Sequence, residues 1–165
     1  MFQLTRRLLL AALTCTALTA CATAPTAPTA TMAFKAETTG PALYPNETPE
    51  LRAKINYWSD FYDVPRPLVH RLAIRESTHN PAARNGPYYG LLQILPATAR
   101  SMGFQGQPTD LLDADTNLKY ALKYLRGAWL LSDGDHGTAI KWYARGYYYE
   151  AKRRGMLVQT GLRKG

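Results

Sequence analysis

Along the chain, apolar positions fall into a few blocks with distinct spacings. An apolar run, broken only by Thr14, Thr16 and Thr19, extends from Leu8 to Ala20, behind the cationic start Met1-Phe2-Gln3-Leu4-Thr5-Arg6-Arg7. Repeated Ala-Thr-Pro units then occupy Ala22 to about Pro45, with no apolar period of their own. From Thr48 the spacing turns helical. Thr48-Pro49-Glu50 reads as a helix start, with a capping hydroxyl, proline in the first turn and an acid near the positive end of the helix. This predicts a helix to about Tyr62 that buries Leu51, Ile55 and Trp58. A second helix is expected from about Pro65-Arg66-Pro67 to Ser77, and a short one over Pro96–Met102, ended by Gly103. A longer helix, capped by Asp115, carries Leu118, Leu122, Leu125 and Trp129 on one face. The last is expected from about Gly137 to Arg154, with Ile140, Tyr143 and Tyr147 at helical spacing. No period-2 strand stands out, so the fold class expected is mostly α, a single helical domain.

Composition narrows the function classes. The chain has 165 residues, 46% of them hydrophobic, enough for one modest domain and too apolar for a wholly disordered chain. Lys and Arg total 20 against 12 Asp and Glu, a net charge of +8, which points to an anionic partner. The two cysteines, Cys15 and Cys21, both lie at the N-terminus, which excludes a disulfide scaffold or a cysteine zinc site downstream. A cationic start and an apolar run too short to anchor in a bilayer form the pattern of an export signal. Its end, Leu18-Thr19-Ala20-Cys21, resembles the lipobox of bacterial lipoproteins, in which the cysteine becomes the lipidated first residue. The expected organisation is a signal peptide over 1–20, lipidated Cys21 with a flexible Ala/Thr/Pro linker over 21–47, and the domain over 48–165. The expected location is the periplasm, tethered by lipid to the outer rather than the inner membrane.

The sharpest chemical signal is Glu76. On a helical wheel of the second helix it falls between Leu72 and Val69, on the apolar stripe and at the last turn. Partial desolvation and the negative end of the helix dipole both disfavour its ionised form, which suits a general acid near neutral pH. A carboxyl at a fraying helix end that pairs with Arg75 satisfies the same spacing, and both readings stand at this point. His70, His79 and His136 show no metal-ligand spacing and read as surface or capping residues, so no metal and no cofactor is expected.

After Glu76-Ser77 come Asn80-Pro81-Ala82-Ala83 and then Gly90-Leu91-Leu92-Gln93-Ile94-Leu95-Pro96-Ala97-Thr98-Ala99. This order resembles the lytic transglycosylases of bacterial cell walls, which are related to goose-type lysozymes. Their pattern is Glu-Ser, Asn/Asp-Pro-x-Ala and Gly-Leu-Met-Gln-Ile-x-Pro-x-Thr-Ala, with Leu92 here in place of the methionine. Asn117-Leu118 with Tyr124-Leu125, and Tyr143-Ala144-Arg145-Gly146, resemble two later blocks, although Ala144 replaces the usual asparagine.

The resemblance implies a lysozyme-like fold and non-hydrolytic cleavage of the β-1,4 bond between N-acetylmuramic acid and N-acetylglucosamine, giving 1,6-anhydromuramoyl ends. By the same resemblance Glu76 performs both proton transfers and Tyr143 positions Glu76 or contacts the intermediate, while Ser77 and Gln93 are candidates for hydrogen bonds to sugar N-acetyl or hydroxyl groups. Tyr88 and Tyr89 are candidates to line the sugar groove. Capping, turn bonding and core packing are competing roles for these residues. No Asp or Glu lies between Glu76 and Asp110, which favours intramolecular attack over hydrolysis unless an aspartate from Asp110–Asp135 folds into the site. A hydrolytic muramidase and a non-catalytic peptidoglycan-binding lipoprotein are the alternatives.

The tail from Lys141 carries seven basic residues against Glu150 alone. It suits the carboxylates of peptidoglycan or an anionic membrane, or is a solvated helix face. Export removes nucleic acid from the expected partners. Glycan strands, the membrane reached through the lipid, and cell-wall or secretion machinery remain.

Overall fold

A computed structural model of the chain describes residues 41–165. The signal, Cys21 and most of the linker lie outside the described residues. Six α-helices follow in order: α1 Pro49–Phe61, α2 Arg66–Ser77, α3 Pro96–Ser101, α4 Ala114–Leu130, α5 His136–Arg145 and α6 Tyr148–Arg153. A two-stranded hairpin, β1 Arg84–Asn85 and β2 Tyr88–Tyr89, sits between α2 and α3, and a 3-10 helix, Pro108–Leu112, precedes α4. Among the described residues no helix is long and apolar enough to cross a membrane.

The organising element is α4. Leu118, Ala121, Leu122, Leu125 and Ala128 are wholly buried along it, and it packs against α1, α3 and α5. Helix α1 brings Leu51 and Ile55 to that core, with Trp58 half-buried, and packs in turn on α2 through Leu68, Val69 and Leu72. Thr48 caps α1 by accepting from Leu51 N–H (3.2 Å), as its sequence predicts. Helix α2 ends where Thr78 turns left-handed (φ 52°, ψ 45°) and His79 N–H reaches back to Ala73 C=O (3.3 Å).

Four expectations are corrected. The cap of α4 is Asp113, which accepts from Thr116 N–H (2.8 Å), and not Asp115. Asp115, one residue into the helix, instead bonds Lys54 Nζ and Trp58 Nε1 (3.0 Å), pinning α4 to α1. The expected helix over 137–154 is two helices, because Gly146 at φ 82°, ψ 153° breaks it. The break turns Tyr147 into the core, where its hydroxyl donates to Tyr124 C=O (2.8 Å). The hairpin adds a strand pair that has only two residues a side, too few to show an alternation. Finally, ordered packing begins before the expected linker boundary at 47. Arg52 donates to the Pro41 and Ala42 carbonyls and to the buried carboxylate of Glu47.

Candidate active site

Glu76 occupies the last turn of α2, with about a fifth of its side chain exposed. It opens into a cleft of about 460 Å³. Asn85 and Tyr88 of the hairpin form one wall, Gln93, Ile94 and Leu95 the floor, and Thr98 extends it along α3. Tyr124, Tyr143, Ala144, Arg145 and Gly146 close the far side. Burial raises the Glu76 carboxyl above the ordinary range. The Arg75 guanidinium, 3.3 Å away, pulls the other way without cancelling it. Both readings of the sequence are therefore present in one group: it pairs with Arg75, and it holds its proton more tightly than a solvated carboxyl does.

Glu76 is the single carboxylate among the cleft-lining residues. The aspartates that follow are engaged elsewhere. Asp110 and Asp113 close helix starts, Asp115 holds α1, Asp133 pairs with Arg154, and Asp135 caps α5.

The loop from Gly90 to Gln93 carries the floor, and three side chains grip it. Ser77 Oγ donates to Leu91 C=O (2.7 Å) and Tyr143 Oη donates to Leu92 C=O (2.9 Å). Asn117, fully buried, accepts from Leu92 N–H (2.9 Å) and donates to the Tyr89 and Leu111 carbonyls (both 2.8 Å). A Cβ on Gly90, which sits at φ +74°, would lie 2.3 Å from the Asn117 amide and 2.1 Å from Leu111 O, so only glycine leaves room for this clamp. Burial and the neighbouring Glu76 charge push the Tyr143 phenol well above its usual value, so it stays a donor.

The candidate residues therefore separate. Gln93, Tyr88 and Tyr143 line the cleft with Glu76, whereas Ser77 and Tyr89 are not among its lining residues. Ser77 braces the floor. Tyr89 is buried beneath the Arg84 guanidinium (4.7 Å to the ring centre). Gln93, at φ 47°, spends its amide NH2 on Gly90 C=O (2.8 Å) and Ala83 C=O (3.0 Å), leaving its carbonyl oxygen for a ligand. Sequence reasoning missed Asn117 as the clamp and Arg75, Arg145, Asn85, Thr98 and Tyr124 as cleft residues. Ala144 does face the cleft, so the asparagine missing from the motif is missing from its wall.

The histidines are corrected as well. His70 and His79 are buried, not surface groups, with Nδ1 and Nε2 3.1 Å apart; His136 opens α5 and packs on Trp129. In the tail, Arg153 and Arg154 are tied to Glu150, and Arg154 also to Asp133, so part of the expected basic face is paired.

The cleft between α2, the hairpin and α5, with its one carboxyl, lies within the span of a matching family model. The transglycosylase SLT domain covers residues 53–155, more than half of the chain, with most of α1 and all of α2 to α6. The chain belongs to this family. As an SLT-domain protein it takes its place among the lytic transglycosylases of the lysozyme-like superfamily, which act on peptidoglycan. No curated protein and no solved structure matches the chain. The SLT match contains Glu76, the Gly90–Gln93 loop, Asn117 and Tyr143, and it stops short of Glu47.

Proposed function

We propose that this SLT domain cleaves the glycan between N-acetylmuramic acid and N-acetylglucosamine without water, leaving a 1,6-anhydromuramoyl end, with Glu76 as its acid and base. The observation that carries the proposal is the lone carboxylate of the cleft. A hydrolase that inverts needs a second carboxylate to activate water, and one that retains through a covalent glycosyl-enzyme needs a second as nucleophile. Neither has a residue here: every aspartate from Asp110 to Asp135 is engaged away from the cleft.

One carboxyl suffices when the nucleophile comes from the substrate. The protonated Glu76 gives its proton to the glycosidic oxygen, the bond from that oxygen to muramoyl C1 breaks, and the N-acetylglucosamine side leaves as an alcohol. The positive charge at C1 is met by the muramoyl 2-acetamido oxygen. The muramoyl 6-hydroxyl then attacks C1, displaces the acetamido oxygen and returns its proton to Glu76. No water is consumed and the acid is regenerated, so the raised affinity of Glu76 for a proton serves both steps. Tyr88, 42% exposed at the cleft wall, offers a ring face to the sugar, and Gln93 offers its amide oxygen. Tyr143 and Ser77 act through the floor, by holding the carbonyls of Leu92 and Leu91.

Export and lipidation at Cys21 set the location: a periplasmic enzyme held to the outer membrane by its lipid, with the Ala/Thr/Pro segment as spacer. The cationic start, the short apolar run and Leu18-Thr19-Ala20-Cys21 support this reading.

The test is mass spectrometry of fragments released from purified peptidoglycan in 18O-labelled water, by the full chain and by Glu76→Gln. Anhydromuramoyl ends without label, from the wild type alone, are expected. Labelled reducing ends would establish a hydrolase, and sacculus binding without release by either protein would establish a binding role.

A further inference from the structure

Away from the cleft, three side chains with metal-ligating atoms meet in the interior. Glu47 comes from the segment before α1, His70 from the middle of α2, and His79 from the turn that follows it. All three residues are buried, His79 completely. One atom from each, a Glu47 carboxylate oxygen, a His70 ring nitrogen and a His79 ring nitrogen, lie within 4.8 Å of one another. His70 Nδ1 is 3.1 Å from His79 Nε2 and 3.6 Å from Glu47 Oε1. Zinc bonds to imidazole and carboxylate of about 2.0–2.2 Å place tetrahedral ligand atoms about 3.3–3.5 Å apart; the two His70 separations lie on either side of that spacing, and the Glu47–His79 pair lies within 4.8 Å.

We propose that Glu47, His70 and His79 form a zinc site that ties the segment before α1 to α2 and to the turn just beyond Glu76. Two imidazoles and one carboxylate are a donor set that suits zinc. His70 Nδ1 and His79 Nε2 face each other, and the other ring nitrogen of His79, Nδ1, is buried without a hydrogen-bond partner.

The surroundings are those of a held ligand. Arg52 Nε and Nη2 reach Glu47 Oε1 (3.1 Å) and Oε2 (2.5 Å), and Tyr44 N–H reaches Oε2 (2.9 Å), which fixes the carboxylate while leaving Oε1 a lone pair. Delivering His79 requires two successive left-handed residues, Thr78 (φ 52°) and His79 (φ 59°), a conformation β-branched threonine adopts at a cost. Tyr44, 39% exposed, stacks on His79 with ring centres 5.0 Å apart and tilts over His70 at 5.1 Å, forming the wall next to solvent. Glu47 lies outside the span matched to the SLT domain, so the third ligand is a feature of this chain beyond the family match. Among the described residues no fourth His, Cys, Asp or Glu joins the group, which leaves one position for solvent.

The test strips the full chain in detergent with a chelator, then loads it with Zn2+ and, separately, with Co2+ as a spectroscopic probe. Elemental analysis after desalting is expected to give one zinc per chain. Bound Co2+ is expected to show the intense visible bands of four-coordinate cobalt. Glu47→Gln and His79→Gln are each expected to weaken binding by at least about 10-fold. Zinc well below one equivalent, or the weak spectrum of six-coordinate cobalt, would overturn the site, leaving a metal-free hydrogen-bonded chain from Glu47 through His70 to His79. Undiminished binding by folded variants would overturn it too, by putting the metal elsewhere. If the variants do not fold, the wild-type cobalt spectrum decides. None of these readouts involves peptidoglycan, so they stand apart from the cleavage chemistry of Glu76.

Discussion

Replacing Asn117 by alanine removes all three hydrogen bonds of the clamp under the cleft floor, and the cost follows from which groups are left alone. Tyr89 C=O keeps a second donor in Ile94 N–H (3.1 Å). Leu92 N–H and Leu111 C=O have no other partner in the hydrogen-bond network, and Asn117 itself is fully buried. Two buried, unsatisfied backbone groups cost about 1–3 kcal/mol each, so Asn117→Ala should lose about 2–6 kcal/mol. That is a large part of a total stability of about 5–15 kcal/mol. The assay is urea unfolding of the full chain followed by circular dichroism. With an m-value of about 2 kcal/mol/M the midpoint should fall by about 1–3 M at constant m. Asn117→Asp separates hydrogen bonding from packing. It keeps the size and the acceptor for Leu92 N–H, but it turns an oxygen towards two carbonyls, and it should be at least as damaging. Loss below about 1 kcal/mol in Asn117→Ala, or near-wild-type stability in Asn117→Asp, would refute the clamp.

Three further outcomes follow from charge and packing. Arg75 pulls the Glu76 carboxyl down, so Arg75→Ala should move the basic limb of the pH–rate profile upward; an unmoved limb would deny that Glu76 is the titrating acid. The raised Glu76 pKa means that its contribution to stability is complete below the unfolded value of 4.5 and is lost as pH rises through the folded one. Glu76→Gln should therefore match the wild type in thermal stability at pH 4 and exceed it at pH 7, and the reverse order would contradict the desolvation of this carboxyl. Gly127→Ala should destabilise α4 by about 1–2 kcal/mol in the same urea assay, despite alanine's helix propensity. Its Cβ would meet Tyr147 Oη at 2.3 Å and the Thr160 carbonyl at 2.9 Å, and a stabilised variant would refute that reading.

The long helices were legible because their apolar stripes are regular: α1, α2 and α4 lie close to where Leu51 and Ile55, Leu68 and Leu72, and Leu118, Leu122 and Leu125 imply. Glu76 was legible for a related reason, as a polar residue on such a stripe. Asn117 carries the same mark, one helical turn before Ala121 on the buried face of α4, and its role could have been read in the same way. Other features left less trace. Asp113 and Asp115 are equally good caps in sequence, and only the approach of Lys54 and Trp58 claims the second. Gly146 could have been a tolerated glycine within a helix; its positive φ is a tertiary outcome. His70 and His79 sit nine residues apart across a left-handed turn, a spacing that matches no ligand motif, so their meeting depends on the fold.

The bracing of the Gly90–Gln93 loop has a consequence for how the enzyme meets its substrate. Ser77 from the helix of the acid, Asn117 from the central helix and Tyr143 from the opposite wall all bond within two consecutive peptide groups. The separation of the two walls is thereby set by hydrogen bonds of 2.7–2.9 Å and not by a hinge. The groups that form the cleft floor are held in place by folding itself, before any ligand arrives.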